Sequence, residues 1–324
     1  LIKHAVDVLS LYLISEPVIE FIRHNENITF RVTDNKSSKN YLLRIHKPIT
    51  DGLTGIQHTL KGLRSEVQLL QKLNQKDIIQ VQTPVANCFG EFVTEYYSDE
   101  FNRCYATLLE WIDGSVLSLN VDNIEDITFK LGQQLADLHI ASYDYKLFGL
   151  DRPEYGIDSI NHTLEELKYG VQDNVYSHSD YELIAKVLEV VKEQITALNA
   201  REQQWGIIHA DIQPHNVVVS AGEPCLIDFC LSGYGYYLFD LGSASTVLNS
   251  EHRNTFLQGY ASKTTFSYDD IRNIEGFIFM DIFISYAMFI RDSNRNGWVK
   301  EHIVKTVPLC RDFLEGKEVF YSFK

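Results

Sequence analysis

The chain lacks the features that would tie it to a membrane, to nucleic acid or to an oxidising compartment. Its most apolar stretch, Ile274 to Ile290, is interrupted by Glu275 and Asp281. It is too short and too polar to cross a bilayer and reads as a buried helix. Basic residues are scarce: 29 Lys and Arg stand against 44 Asp and Glu, a formal charge of −15. Nucleic acid demands a basic footprint, so this balance argues against it and favours a small cationic partner. The five cysteines are odd in number and form no Cys-x-x-Cys pair. Neither a disulfide framework nor a structural zinc site follows, and a reducing cytoplasm is the natural setting. No internal repeat, heptad or low-complexity tract is present. What remains is a 324-residue chain, 45% hydrophobic and 23% charged. That is enough for one large domain or for two lobes sharing a cleft.

Two short segments carry the chemistry. The first is His209-Ala210-Asp211-Ile212-Gln213-Pro214-His215-Asn216, and the second is Leu226-Ile227-Asp228-Phe229. Each sits beside an apolar run that reads as a strand, 217–219 and 225–229. Asp and Asn also punctuate ordinary turns, but two carboxylates and a carboxamide at this spacing form the set that phosphoryl transfer requires. One carboxylate orients and deprotonates an acceptor hydroxyl. The amide oxygen and the other carboxylate hold Mg²⁺ on the donor phosphates. Asp211 is the candidate catalytic residue, and Asn216 and Asp228 are the candidate metal ligands.

These motifs resemble those of the aminoglycoside phosphotransferase and choline kinase family, relatives of the protein kinases. In that family the catalytic loop reads His-Gly-Asp-x-x-x-x-Asn and the metal loop begins Ile-Asp-Phe or Ile-Asp-Trp. Ala210 stands where Gly is usual, and a methyl group is expected to fit there. The resemblance implies an α+β, bilobal protein-kinase-like fold. A small antiparallel-sheet lobe would span 1–110 and a larger, mainly helical lobe 111–324, with a hinge near 110–114. It also implies Mg²⁺-dependent transfer from ATP or GTP to a hydroxyl of a small molecule, such as an aminoglycoside or another cationic metabolite. The alternatives are a protein Ser/Thr kinase of the same branch and a nucleotide-binding pseudokinase. No Ala-Pro-Glu signature follows Asp228, which disfavours the protein kinase.

Upstream, 18–23, 28–33 and 41–46 read as a three-strand meander. The first turn holds His24, Asn25, Glu26 and Asn27 and has no glycine. Polar residues stand in for a glycine-rich phosphate loop in many family members, so Asn25, Asn27 and Thr29 are candidate phosphate contacts, although a plain hairpin turn explains them too. Strand alternation puts Arg44 on the opposite face from Lys47. Arg44 fills the slot of the usual Lys on the third strand, where it would bind the α- and β-phosphates. Leu60, Leu63, Val67, Leu70 and Leu73 mark a helix over 59–74, and Glu66 beside that stripe is the candidate partner of Arg44. Strands at 91–97 and 103–110 follow, and the backbone of Glu110, Trp111 and Ile112 would meet adenine.

In the second half, amphipathic helices are expected at 124–139 and 181–198, with an irregular segment at 143–179 draped over the cleft. Further helices are expected at 250–262 (capped by Ser250), 268–291 and 299–316, with Gly259 and Gly276 as tolerated interruptions. Family members bind substrate ammonium groups with carboxylates on these late helices, which makes Asp269, Asp270, Glu275 and Asp281 candidates. Asp240 is expected to hold the catalytic loop, and His209 to be an anchor rather than an acid or base.

Overall fold

The computed structural model describes residues 1–24, 27–46, 55–75, 79–98, 100, 102–144 and 149–321. The chain opens with a helix, α1 (Ile2–Leu9), that the sequence reading did not include. It continues through β1 (Pro17–His24), β2 (Asn27–Asp34), β3 (Lys39–His46), α2 (Leu60–Gln75), β4 (Pro84–Val85), β5 (Val93–Ser98) and β6 (Asn102–Glu110). The strands form an antiparallel sheet in the order β1-β2-β3-β6-β4, with β5 also paired to β6.

Alternation gives this sheet two chemically different faces. Ile28, Phe30, Val32, Leu43, Ile45, Ala106 and Leu108 form the apolar one, sealed by Ala5, Val8 and Leu9 of α1. The other face is polar yet buried. Thr29 lies opposite Arg44, and Arg44 opposite Thr107, and all three are less than 9% exposed. Helix α2 covers this second face, with Leu63 and Val67 against Val93 and Tyr105. The register of β1 against β2 slips by one residue between Phe21, opposite Phe30, and Arg23, opposite Thr29. A bulge of this kind turns the following side chain to the other face. Arg23 thereby joins the side occupied by Thr29 and Arg44.

The remainder is mainly helical: β7 (Ser115–Val116), α3 (Ile124–Asp144), β8 (Glu154–Tyr155), α4 (Ile157–Gln172), α5 (His178–Leu198), β9 (Trp205–Ile208), β10 (Val217–Ser220), β11 (Glu223–Leu226), β12 (Gly233–Tyr236), α6 (Tyr237–Val247), α7 (Ser250–Ala261), α8 (Ile271–Phe289) and α9 (Gly297–Leu314). The short strands make two small sheets, β11-β10-β7 and β8-β12-β9. Helix α8 is buried along most of its length, as its mainly apolar sequence requires.

Three local expectations need correction. The segment 143–179 is not irregular throughout, because Ile157, Ile160, Leu164 and Leu167 make one face of α4, which packs into the main core. The cap of α7 is Asn249, whose side chain accepts from the His252 N–H at 2.9 Å; Ser250 is already helical. Gly259 is required rather than merely tolerated. A β-carbon on it would lie 1.9 Å from the Phe129 carbonyl of α3, and one on Gly132 would lie 2.1 Å from the Phe256 carbonyl of α7. Helices α3 and α7 therefore cross with their backbones in mutual contact.

Candidate active site

The loop after β9 is held from beneath. Asp240 at the start of α6 accepts from the backbone N–H groups of His209 and Ala210, both at 2.7 Å, and lies 3.1 Å from His139 Nε2. His209 Nε2 donates to the Ile227 carbonyl at 3.0 Å. Burial lowers the His209 pKa, so the ring is neutral and serves as a strut between the two motif loops. The expectations for Asp240 and His209 match this geometry. Ala210 adopts φ +63°, the left-handed region in which a Cβ is unfavourable. This explains the glycine usual at that position: the methyl fits, but the backbone is strained.

Asn216 donates from Nδ2 to the Asp211 side chain at 2.7 Å and to its carbonyl at 3.0 Å. The amide oxygen of Asn216 is thus turned away from Asp211. Pairing of Val217 with Leu226, and the Ile227 N–H donated to the Asn216 carbonyl at 2.9 Å, bring the Asp211–Asn216 loop beside Asp228. Asp228 itself sits at φ +62°, ψ +64°.

Arg44 connects the sheet to this corner. Its Nη2 lies 2.6 Å from Glu66 Oε1, its Nη1 3.4 Å from Asp228 Oδ1 and its Nε 3.3 Å from Thr107 Oγ1. Burial alone would lower the Arg44 pKa, but Glu66 and Asp228 reverse this and hold the guanidinium charged. Three donors aimed at three partners use the planar fork of an arginine; a lysine has one nitrogen to offer. Arg23, which the sequence reading did not single out, also reaches Asp228, with Nη2 3.0 Å from Oδ2. Arg152 was missed as well. Its buried guanidinium donates to the carbonyls of Gly62 on α2 and of Phe229, Cys230 and Ser232 just past Asp228. One side chain thereby ties the Glu66 helix to the segment that follows Asp228.

The other candidates fall around this cluster with mixed outcomes. Among the described residues, Asn27 Oδ1 is buried without a hydrogen-bond partner; a phosphate contact would fall to its Nδ2, since the oxygen only accepts. Thr29 is buried on the Arg44 face. Asn25 and Lys47 lie outside the described residues. At the far end of β6, Glu110 donates its N–H to the Thr83 carbonyl at 2.8 Å and Trp111 to the Asn40 carbonyl at 3.0 Å. These two N–H groups are therefore committed. The Ile112 N–H and the carbonyls are what remain for a base.

Next to Asp211 opens a pocket of about 550 Å³, counting its solvent-filled mouth. Tyr155, Ser159, Phe239, Asp281, Ile284 and Met288 are among its walls. Of the four late carboxylates, Asp281 lines it. Asp270 is paired with Arg201 at 2.6 Å, and Glu275 accepts from the N–H groups of Val319 and Phe320 at 2.7 Å. Asp269 is exposed beside the Ser267 cap. Burial, reinforced by the nearby Asp211 charge, pushes the Asp281 carboxyl up to about 7.

Among the described residues, no three His, Cys, Asp or Glu side chains converge as a metal-holding group. The oxygen donors present, Asp228 and the Asn216 amide, instead fit Mg²⁺, which keeps several waters and is shared with substrate phosphates. A tight all-protein cage is not what that ion requires. No helix among the described residues is long and apolar enough to cross a membrane.

A microcompartment-associated aminopropanol kinase superposes with a TM-score of 0.77 at 18% identity, covering 98% of this chain and 99% of that one. An amicoumacin kinase in complex with AMP-PNP and Ca²⁺ gives 0.77 at 16% identity, covering 99% and 96%. A choline kinase from Cryptosporidium parvum Iowa II gives 0.67 at 15%, covering 97% and 96%. At these identities the similarity establishes the protein-kinase-like fold, antiparallel sheet first and helices after. No curated protein is similar enough in sequence to count as a match. The sequence pattern described as "Phosphotransferase enzyme family" matches residues 18–274, well over half the length, and the chain therefore belongs to that family.

Proposed function

We propose that this phosphotransferase moves the γ-phosphoryl group of ATP or GTP, with Mg²⁺, to a hydroxyl of a small cationic molecule such as an amino alcohol or amino sugar. The observation that carries this reading is the placement of two carboxylates on one pocket. Asp211 is hydrogen-bonded to Asn216 at the pocket wall, and Asp281 lines the same cavity. Asp211 accepts the proton of the acceptor hydroxyl as its oxygen bonds to the γ-phosphorus and the bond to the β-phosphate bridge breaks. Because the transition state is loose, the proton moves late and positioning does most of the work. Asp281 faces the ammonium group of the acceptor.

On the donor side, Asn216 and Asp228 hold the ion, whose contribution is to neutralise charge on the donor phosphates. Arg44, held by Glu66, binds the α- and β-phosphates, while Asn27 and Thr29 contact the phosphates from the sheet. The backbone between Glu110 and Ile112 meets the base. We take 1–110 as the donor lobe and 111–324 as the acceptor lobe, with the hinge at 110–114 between them. The odd cysteine count supports a cytoplasmic setting.

The test is a panel of hydroxylated amines, sugars and neutral alcohols incubated with MgATP and read by mass shift. Wild type should add one phosphate to cationic members, and Asp211→Asn should lose at least ~10³-fold in rate while binding AMP-PNP normally. Full turnover by the variant would remove Asp211 from its role, and silence of wild type across the panel despite tight AMP-PNP binding would favour a nucleotide-binding module.

A further inference from the structure

Asp228 has two claims on it. As a metal ligand it must offer carboxylate oxygens to a divalent cation, yet here Oδ1 faces Arg44 and Oδ2 faces Arg23. The two arginines are not equivalent. Arg44 is 4% exposed and fixed by Glu66 and Thr107. Arg23 is 44% exposed, and Asp228 is the partner its guanidinium reaches across the cleft. Its position is built by the bulge in β1. Unbroken pairing from Phe21 opposite Phe30 would set Ile22, not Arg23, opposite Thr29. One extra residue turns a cation toward the donor side of the sheet.

We propose that Arg23 is a donor-site gate: it occupies the metal-facing oxygen of Asp228 until a metal–nucleotide arrives, then exchanges that carboxylate for the triphosphate. This rests on the metal and donor roles given above. A divalent cation bound at Asp228 repels the guanidinium held on the same carboxylate, and Arg23, exposed and without the Glu66 anchor that fixes Arg44, is the one that yields. The displaced guanidinium sits next to a polyanion that it can clasp with two N–H groups. Bare divalent cation gains no such compensation. The site is thereby biased against metal alone and toward metal delivered with its nucleotide.

The two consequences have opposite signs, which makes them separable from damage to the fold. Replacing Arg23 by Gln (Arg23→Gln) keeps length and removes charge at an exposed position. Free Mn²⁺, followed by electron paramagnetic resonance without nucleotide, should bind the variant about 2- to 5-fold tighter than wild type, the size of one partly exposed ion pair. Mn²⁺·AMP-PNP should bind it about 10-fold more weakly, and Arg23→Lys should recover part of that loss. Mn²⁺ binding no tighter in the variant, absence of detectable binding in both proteins included, overturns the gate. So does unchanged Mn²⁺·AMP-PNP affinity. Asp228→Asn, measured alongside, separates the two levels. If it leaves Mn²⁺·AMP-PNP binding intact, the metal role of Asp228 itself fails. If it abolishes that binding while Arg23→Gln changes nothing, only the gate fails.

Discussion

Ala210 and Asp281 each hold a state that their residue type resists, and each can be interrogated singly. Ala210 keeps φ +63° because Asp240 grips its N–H. The left-handed conformation costs a non-glycine residue about 1–2 kcal/mol, so Ala210→Gly should raise stability by about 0.5–1 kcal/mol after the added freedom of the unfolded chain is subtracted. The urea midpoint should rise with an unchanged slope; a lower midpoint would mean that the packing of the methyl outweighs the strain. For Asp281 the sign follows from a folded pKa raised to about 7. Below about pH 4 both folded and unfolded chains carry the proton, and the group contributes nothing to pH dependence. Between about pH 4 and 7 the unfolded chain ionises first, so stability falls as pH rises. Asp281→Asn should remove that decline, giving a variant that gains on wild type at pH 8 relative to pH 4 in thermal melts. A bound ammonium reverses the preference. Calorimetry at pH 6 in buffers of different ionisation enthalpy should then show a proton released as a cationic acceptor binds.

At the scale of elements, the geometry between α2 and the segment after Asp228 matters more than either alone. Glu66 can hold Arg44 only while α2 keeps its distance from that segment, and Arg152 sets the distance through carbonyls on both sides. Arg152→Met preserves bulk but strands those buried carbonyls. Each unsatisfied group costs about 1–3 kcal/mol, so a total loss of about 3–5 kcal/mol is expected, partly relieved by water. Nucleotide affinity should fall along with it, because Arg44 loses its fixed partner. A variant as stable as wild type in urea would show that the helix is positioned by its apolar contacts with Val93 and Tyr105 instead.

Across the whole molecule, what could be read in advance was whatever local pattern controls. The strand alternation that isolates Arg44 from its neighbours, the stripe that places Glu66, and the spacing from Asp211 to Asp228 are short-range signals; the structure joins Arg44, Glu66 and Asp228 in one cluster and bonds Asp211 to Asn216. Long-range partners were not legible. Arg23 reads as one more polar residue on an edge strand until the bulge turns it, and a bulge leaves no mark on composition. Arg152 donates to backbone oxygens, which every sequence has everywhere. Asp281 could be proposed but not separated from Asp270 and Glu275, because Arg201 and the backbone at 319–320, which engage those two, lie 69 and 44 or more residues away. Helix α1 went unseen because the segment before the first strand offered no motif to anchor a reading.

The crossing of α3 and α7 carries a last implication. Where Gly132 and Gly259 let main chain touch main chain, there is no side chain that can swivel or shrink to absorb a shift. Such a joint behaves as a weld rather than a hinge. His139 leaves the same α3 to support Asp240, and through it the Asp211 loop, so the acceptor side of the cleft is referenced to an immovable frame. A change of shape at that end must come from the side chains that line the cavity rather than from the helix pair behind it.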